Sequence, residues 1–437
     1  MPQNSSGSRR VFSVLSSSER AIRKPPSAGQ RRVGSSSPGP EPSDRVFASP
    51  IGRFSLERRP VNKWGEHDGL LAWDAADELL LGALAEALDN CRLAQPRLLI
   101  ISDSFGALTV ATVAELELRG LTLVPVTVWT DSAVAELAID ENLTRNHLSQ
   151  QAREFVSSTA VPAGGFDIVL WRLPASRAQL DLEMEALAGP LRGATVIAGG
   201  MDRYLPPRVQ DTLAALGTAA IRRGSKKAHV LDVRVETHLE ASSETQPQEV
   251  FSVTDRVELV RAPSVFGGEF LDAGTRVFLD AFDLHRMQAV PPNGPTRIAD
   301  LGCGSGVLGI VAAQAFPSAV VTFFDESYRS VQAAQVNAAH NLLRRVEFEV
   351  DDGMHRYRGP SFDLVLCNPP FHQRGAVTDR TARELFRQAR HQLDVGGELW
   401  VVGNRHLGYH QVLSRLFGNV EQLAKDTKFV VLRSQKR

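Results

Sequence analysis

Asn368-Pro369-Pro370-Phe371 is the stretch of this sequence best fitted to do chemistry. The Asn side-chain oxygen and the next carbonyl are two acceptors side by side, the prolines fix their direction through φ, and Phe371 offers an apolar face to a flat ring. A second stretch, Asp300-Leu301-Gly302-Cys303-Gly304-Ser305-Gly306, alternates three glycines behind an acid. Such a turn between a strand and a helix lets backbone N–H groups approach a ligand closely, and the helix N-terminus favours an anionic group. The alternation differs from the dinucleotide spacing G-x-G-x-x-G. Asp325-Glu326 follows Asp300 by 25 residues, and Asp351-Asp352 lies further on. Each of these groups stands at or near the end of a run of strand length and strand-like composition: Arg297 to Leu301, Val320 to Phe324, Val346 to Val350 and Phe362 to Cys367. Helical stretches alternate with the runs, which predicts βαβ units on a parallel sheet. Strand-end aspartates also cap helices, and Asn-Pro-Pro can end a strand in an ordinary turn. Their joint occurrence at these separations favours a site.

The D-x-G-x-G-x-G form resembles motif I of class I S-adenosyl-L-methionine-dependent methyltransferases, and Asn-Pro-Pro-Phe resembles the N-P-P-[FY] motif of those acting on planar nitrogens. The resemblance implies that Asp300, Gly302, Cys303, Gly304 and Gly306 hold the methionine and ribose side of the cofactor. It implies that Asp325, with Glu326 beside it, receives both ribose hydroxyls, a bidentate demand that a carboxylate meets. Asp351 or Asp352 would accept the adenine amino group, with Asn368 bordering both cofactor and substrate. An exocyclic amine is a poor nucleophile because its lone pair is delocalised into the ring. Accepting both of its protons, at the Asn368 side-chain oxygen and the Pro369 carbonyl, lets the nitrogen pyramidalise toward the methyl. Catalysis would then be positioning and desolvation by Asn368, Pro369, Pro370 and Phe371, without a metal or a covalent intermediate. His372 is adjacent, but this chemistry needs no base.

The same plan occurs earlier in the chain. Arg97 to Leu108 has the outline of Arg297 to Leu308; Thr130-Asp131-Ser132 corresponds to Asp325-Glu326-Ser327, and Asn142 and Asn146 to Asn337 and Asn341. Phe166 to Pro174 matches Phe362 to Pro370, and Gly193 to Gly199 matches Gly397 to Gly403. Four matches in order, at offsets drifting from 195 to 204, read as an internal duplication. The copies differ where the chemistry lies: Asp300, Gly302 and Gly304 become Ile100, Ser102 and Ser104, and Asn368-Pro369 becomes Arg172-Leu173. The expected fold is therefore α/β, with two tandem Rossmann-like class I methyltransferase domains, the first degenerate. Residues 61–245 form the first domain and 246–437 the catalytic one, with a polar linker from Glu236 to Gln248 between them.

Residues 1–60 read as a disordered tail, because residues 1–50 hold thirteen serines and seven prolines with few large apolar side chains. This stretch carries eleven basic residues against four acids, so of a total net charge of −1 the body keeps −8. Arg9-Arg10 superficially resembles a twin-arginine export signal, but Ser13 to Arg32 lacks the apolar segment such a signal needs. No run approaches the roughly 18 apolar residues of a membrane span. Cys91, Cys303 and Cys367 form no C-x-x-C pair, and no histidine pair has ligand spacing beside an acid, so neither disulfides nor a metal are expected. The expected setting is a reducing cytoplasm and the expected state a monomer.

Leu71 to Glu78, Asp103 to Leu108, Val265-Phe266 with Leu271 to Gly274, Cys367 to Gln373 and Asn404 to Leu407 together resemble one two-domain family, the bacterial ribosomal RNA guanine-N2 methyltransferases. The likeness spans residues 60 to 434 and is nearer to the large-subunit branch than to the small-subunit one. It implies ribosomal RNA as partner and a first domain that helps hold it. The acidic body departs from that picture, and phosphate contacts would have to come from local clusters such as Arg222, Arg223, Lys226 and Lys227. The rival readings are the same chemistry on small-subunit RNA, on adenine N6 or on a glutamine amide, and a non-catalytic RNA-binding assembly factor.

Overall fold

The structure, a computed structural model, describes residues 46–59, 70–121, 124–205, 208–222, 224–236, 249–286, 294–370 and 379–437. The first half opens with the hairpin β1 (Val46–Ser49) and β2 (Gly52–Ser55), followed by α1 (Ala75–Asn90), β3 (Leu98–Ile101), α2 (Ala107–Arg119), β4 (Val126–Thr130) and α3 (Ala133–Arg145). It continues through β5 (Arg153–Ser157), β6 (Ile168–Arg172), α4 (Arg177–Leu187), β7 (Thr195–Met201), α5 (Val209–Leu213), β8 (Gly217–Ile221) and β9 (Ala228–Val235). The second half repeats the order with the hairpin β10 (Val250–Thr254) and β11 (Val257–Val260), then α6 (Ala273–His285), β12 (Arg297–Leu301), α7 (Val307–Ala315), β13 (Val320–Asp325) and α8 (Tyr328–His340). After β14 (Val346–Val350) and β15 (Phe362–Cys367) come α9 (Asp379–Gln392), β16 (Leu393–Asn404), α10 (Tyr409–Phe417), β17 (Glu421–Lys425) and β18 (Phe429–Gln435).

Each half builds one seven-stranded sheet, ordered β5-β4-β3-β6-β7-β9-β8 and β14-β13-β12-β15-β16-β18-β17. The two orders are the same. Five strands of each sheet run parallel, and the last two join by antiparallel pairings, β9 on β7 and β8 on β9 in the first, β18 on β16 and β17 on β18 in the second. The central strands are largely apolar because both faces of the sheet are covered: Leu98 to Ile101 is wholly buried, and so is Leu364 to Cys367. Local signals start the helices. Asp74 closes a capping box on α1, Ser132 caps α3 and Ser327 caps α8.

The asparagines matched between the halves turn out to be structural. Asn146 exchanges two hydrogen bonds with the Ser55 backbone, and Asn341 does the same with Glu258. Asn142 donates to the Phe105 carbonyl as Asn337 does to that of Ser305, at 2.7 and 2.9 Å. In both halves a helix thereby pins its own hairpin.

The tail expected over residues 1–60 runs too far. Residues 46–55 form a paired hairpin with Phe47 and Phe54 buried, and Leu56 joins the same core. Three apolar residues in an Arg- and Ser-rich stretch carry no periodic signal; they fold because a distant helix holds them. Residues 1–45, and the expected domain boundary near 245, lie outside the described residues. Among the described residues no helix is long and apolar enough to cross a membrane.

The halves exchange equivalent contacts. Ala133 N–H donates to the Glu326 carbonyl and Tyr328 N–H to the Asp131 carbonyl, at 2.8 and 3.0 Å. The Ser132 hydroxyl donates to the Glu326 carboxylate and the Ser327 hydroxyl to that of Asp131. Each half thus supplies an acid to the helix start of the other.

Candidate active site

The turn after β12 places Gly302, Gly304 and Gly306 at φ +75°, +52° and +86°, where L side chains are strained. A Cβ at Gly304 would stand 2.7 Å from the Phe266 carbonyl, whereas one at Gly302 would meet only the Asn368 carbonyl, 3.9 Å away. Gly302 and Gly304 line a cavity of about 370 Å³ together with Asp325, Glu326, Asp352, Asn368, Pro369 and Pro370. That size suits a small-molecule site. The first half contributes Arg58, Arg59, Phe105, Ser132 and Val134 to the same wall.

Beneath the turn, Asp300 is buried; its Oδ2 accepts the Gly309 N–H at 2.8 Å, and its Oδ1 has no partner among the described residues. Burial, reinforced by the nearby Asp325 charge, pushes the Asp300 carboxyl up to about 8 against the Gly309 hydrogen bond. Asp325 accepts N–H bonds from Gly304 and Ser327, both at 2.9 Å, and burial outweighs them to raise it to about 6. Burial likewise holds the Cys303 and Cys367 thiols protonated, which removes them as nucleophiles.

The strand-end pair after β14 separates. Asp351 turns away from the cavity: it accepts the N–H groups of Asp352 and Arg356, at 2.8 and 2.6 Å, and the Arg356 side chain. Asp352 lines the cavity and is met by Arg59, whose Nε and Nη2 approach Oδ2 at 3.2 and 3.0 Å. Burial raises the Asp352 carboxyl against the pull of Arg59. Cys303 and Gly306 also stay off the cavity wall, since Cys303 lies under the turn and Gly306 packs on Ala334 as the first residue before α7.

Asn368 is 8% exposed, donates from Nδ2 to Thr275 Oγ1 at 3.0 Å, and leaves Oδ1 without a partner among the described residues. The orphaned Asn368 oxygen and the glycine turn at the cavity wall fit a polar organic ligand with donors of its own. Phe371 and His372 lie outside the described residues. Arg59, Phe105, Phe266 and Thr275 escaped the reading by motif. Phe105 and Phe266 had a local signal, their places in the Asp103 to Leu108 stretch and the Val265-Phe266 pair; Arg59 and Thr275 had none.

In the first half the corresponding residues are engaged with one another. Asp103 accepts the N–H groups of Gly106 and Thr109, the second of which is the counterpart of the Gly309 N–H held by Asp300. Ser102 keeps the left-handed turn at φ +60° without glycine. Arg172, at the position of Asn368, pairs with Asp74 and Asp77. Of the basic cluster, Arg222 is paired with Asp232 and Glu86, and Lys226 with Glu78; Arg223 lies outside the described residues.

Two family models match the chain: the methyltransferase small domain over residues 256–433 and the RLMG N-terminal domain over residues 44–237. A solved T. thermophilus 16S rRNA N2 methyltransferase in complex with AdoMet and guanosine superposes with a TM-score of 0.69 at 23% identity, covering 91% of this chain and 99% of its own, which shows the two-domain fold. The ribosomal RNA large subunit methyltransferase G of Pseudomonas aeruginosa strain UCBPP-PA14 is 41% identical over 401 residues, 90% of this chain and all of the relative. That of Ectopseudomonas mendocina is 40% identical over 394 residues, with the same coverage. With both domains matched in order and that identity held along their length, the chain belongs to the ribosomal RNA large subunit methyltransferase G family.

Proposed function

We propose that the protein transfers a methyl group from S-adenosyl-L-methionine to the exocyclic N2 of a guanine in large-subunit ribosomal RNA. The observation that carries this reading is the Asn368 side-chain oxygen, a buried acceptor without a partner at the wall of a cavity that Pro369 and Pro370 also line. An amine brought there can give one proton to Asn368 Oδ1 and the other to the Pro369 carbonyl, which localises its lone pair. Bound S-adenosyl-L-methionine supplies an electrophilic methyl group. Asp325 receives the ribose hydroxyls, Asp352 the adenine amino group, and Gly302 and Gly304 leave room for the methionine side above Asp300. Glu326, held by Ser132, fixes the wall beside Asp325. The first half lines the same cavity with Arg58, Arg59, Phe105, Ser132 and Val134. Phe371 stacks on the base.

Methyl transfer from tritiated cofactor to deproteinised large- and small-subunit RNA, followed by nucleoside analysis, tests the reading. Label in N2-methylguanosine of the large-subunit RNA is expected. Label confined to small-subunit RNA would overturn the substrate, and label in another nucleoside would overturn the chemistry. Asn368→Ala should retain cofactor binding and lose turnover, since it deletes an acceptor needed mainly as the amine pyramidalises.

A further inference from the structure

A side-chain amide can present either its oxygen or its NH2 to a cavity, and the role given to Asn368 works only one way round. The structure contains a relay that decides it. Asn368 Nδ2 donates to Thr275 Oγ1 at 3.0 Å, and the Thr275 hydroxyl donates in turn to Asp272 Oδ2. Asp272 caps α6, its Oδ1 accepting the N–H groups of Gly274 and Thr275 at 2.9 and 3.1 Å. Thr275 is 1% exposed, so solvent does not reach its hydroxyl to compete for the bonds it makes. A hydroxyl has one proton, and here it goes to a carboxylate that can only accept. Toward Asn368 the Thr275 oxygen therefore offers a lone pair alone. The amide must answer with NH2, and its oxygen is turned to the cavity.

The first half repeats the connection with other residues. Asp74 caps α1 as Asp272 caps α6, Asp77 stands three residues on as Thr275 does, and Arg172 occupies the strand end of Asn368. Arg172 pairs with both acids. The cap of the first helix thus grips the end of the fourth strand in each half, by ion pairs where the strand ends in arginine and by a polarised hydroxyl where it ends in asparagine.

We infer that Thr275, backed by Asp272, is a positioning residue that sets the Asn368 amide with its oxygen toward the substrate amine. This rests on the function proposed above, and its test separates the two. In the full chain, Thr275→Val, Thr275→Ser, Asp272→Asn and Asn368→Ala are compared by single-turnover and steady-state methyl transfer on deproteinised RNA, by S-adenosylhomocysteine titration calorimetry and by thermal denaturation.

Thr275→Val should lower kcat by about 10- to 100-fold, the scale of a misaimed reacting group. S-adenosylhomocysteine affinity should stay within about twofold, and Thr275→Ser should restore turnover to within about threefold. Asp272→Asn keeps the cap but can donate to Thr275, which frees the hydroxyl to donate to Asn368 and inverts the amide; kcat should fall with the fold intact. Near-normal kcat in Thr275→Val, or in a folded Asp272→Asn if the valine variant does not fold, would overturn the inference while inactive Asn368→Ala leaves the function standing. Parallel loss of cofactor affinity and turnover without rescue by serine would also overturn it, as a merely structural role. Active Asn368→Ala would instead sink the underlying reading.

Discussion

Arg59 donates two N–H groups to one oxygen of Asp352, 293 residues further along the chain, and its remaining edge reaches Glu141. The arginine leaves the hairpin that opens the first half, and the aspartate closes a strand of the second. Arg59 is buried, and its partner is nearly so. Removing one member of a buried pair strands the other, which costs about 3 kcal/mol or more. Arg59→Ala should therefore lower stability by about that amount in urea denaturation, and Arg59→Lys by less. S-adenosylhomocysteine affinity should fall with it, because Asp352 then carries its proton more readily. An alanine variant as stable as the parent would show that this contact does not join the halves.

Burial raises the Asp300 carboxyl from 3.8 to about 8. Between those values the folded protein keeps a proton that the unfolded chain has released. The stability this group contributes is thus full at low pH and is lost as pH rises toward 8. Asp300→Asn removes the titration. The stability of the ligand-free parent relative to this variant should decline from about pH 5 to about pH 8, with a slope approaching 1 kcal/mol per pH unit. A pH-independent difference between the two urea midpoints would refute the buried, protonated carboxyl.

Gly304 combines positive φ with a would-be Cβ 2.7 Å from the Phe266 carbonyl. The carbonyl is backbone and cannot swing aside, so Gly304→Ala must displace the turn that lines the cavity. We expect S-adenosylhomocysteine affinity to fall by about tenfold or more, with a stability loss of about 1–3 kcal/mol. Ser104→Ala, at the equivalent place in the first half, should leave the calorimetric affinity unchanged. Equal losses from both would contradict the division into one live and one degenerate copy.

The basic cluster of the first half should act unequally on RNA. Arg222 has both edges of its guanidinium engaged by Asp232 and Glu86, so releasing it to a phosphate breaks ion pairs already made. Lys227 sits in an exposed left-handed turn residue. Lys227→Ala should reduce the slope of log K against log salt by about 0.7–0.9, and Arg222→Ala by much less. Fluorescence anisotropy with a labelled RNA fragment across a salt series distinguishes them; a larger change from Arg222 would reverse the assignment.

Local patterns made the strand, turn and helix order legible. The Asp300 to Gly306 turn, the Asn368-Pro369-Pro370 strand end and the repeat of the whole plan are properties of neighbouring residues, and backbone conformation is decided over a few residues. The degeneracy of the first half was legible too, as Asn368 against Arg172 and Gly302 against Ser102. Other points needed the tertiary structure. Asp351 and Asp352 are adjacent and chemically alike, yet one caps its own turn while the other meets Arg59 and the cavity. Both lie past the end of β14, in the bend that follows it, so strand alternation does not decide between them; their hydrogen-bond partners across the fold do. Thr275 lies 93 residues from Asn368, and Arg59 stood in a stretch whose composition argued for disorder. Their roles come from hydrogen bonds across the fold, whose partners are set by packing and leave no trace in spacing along the chain.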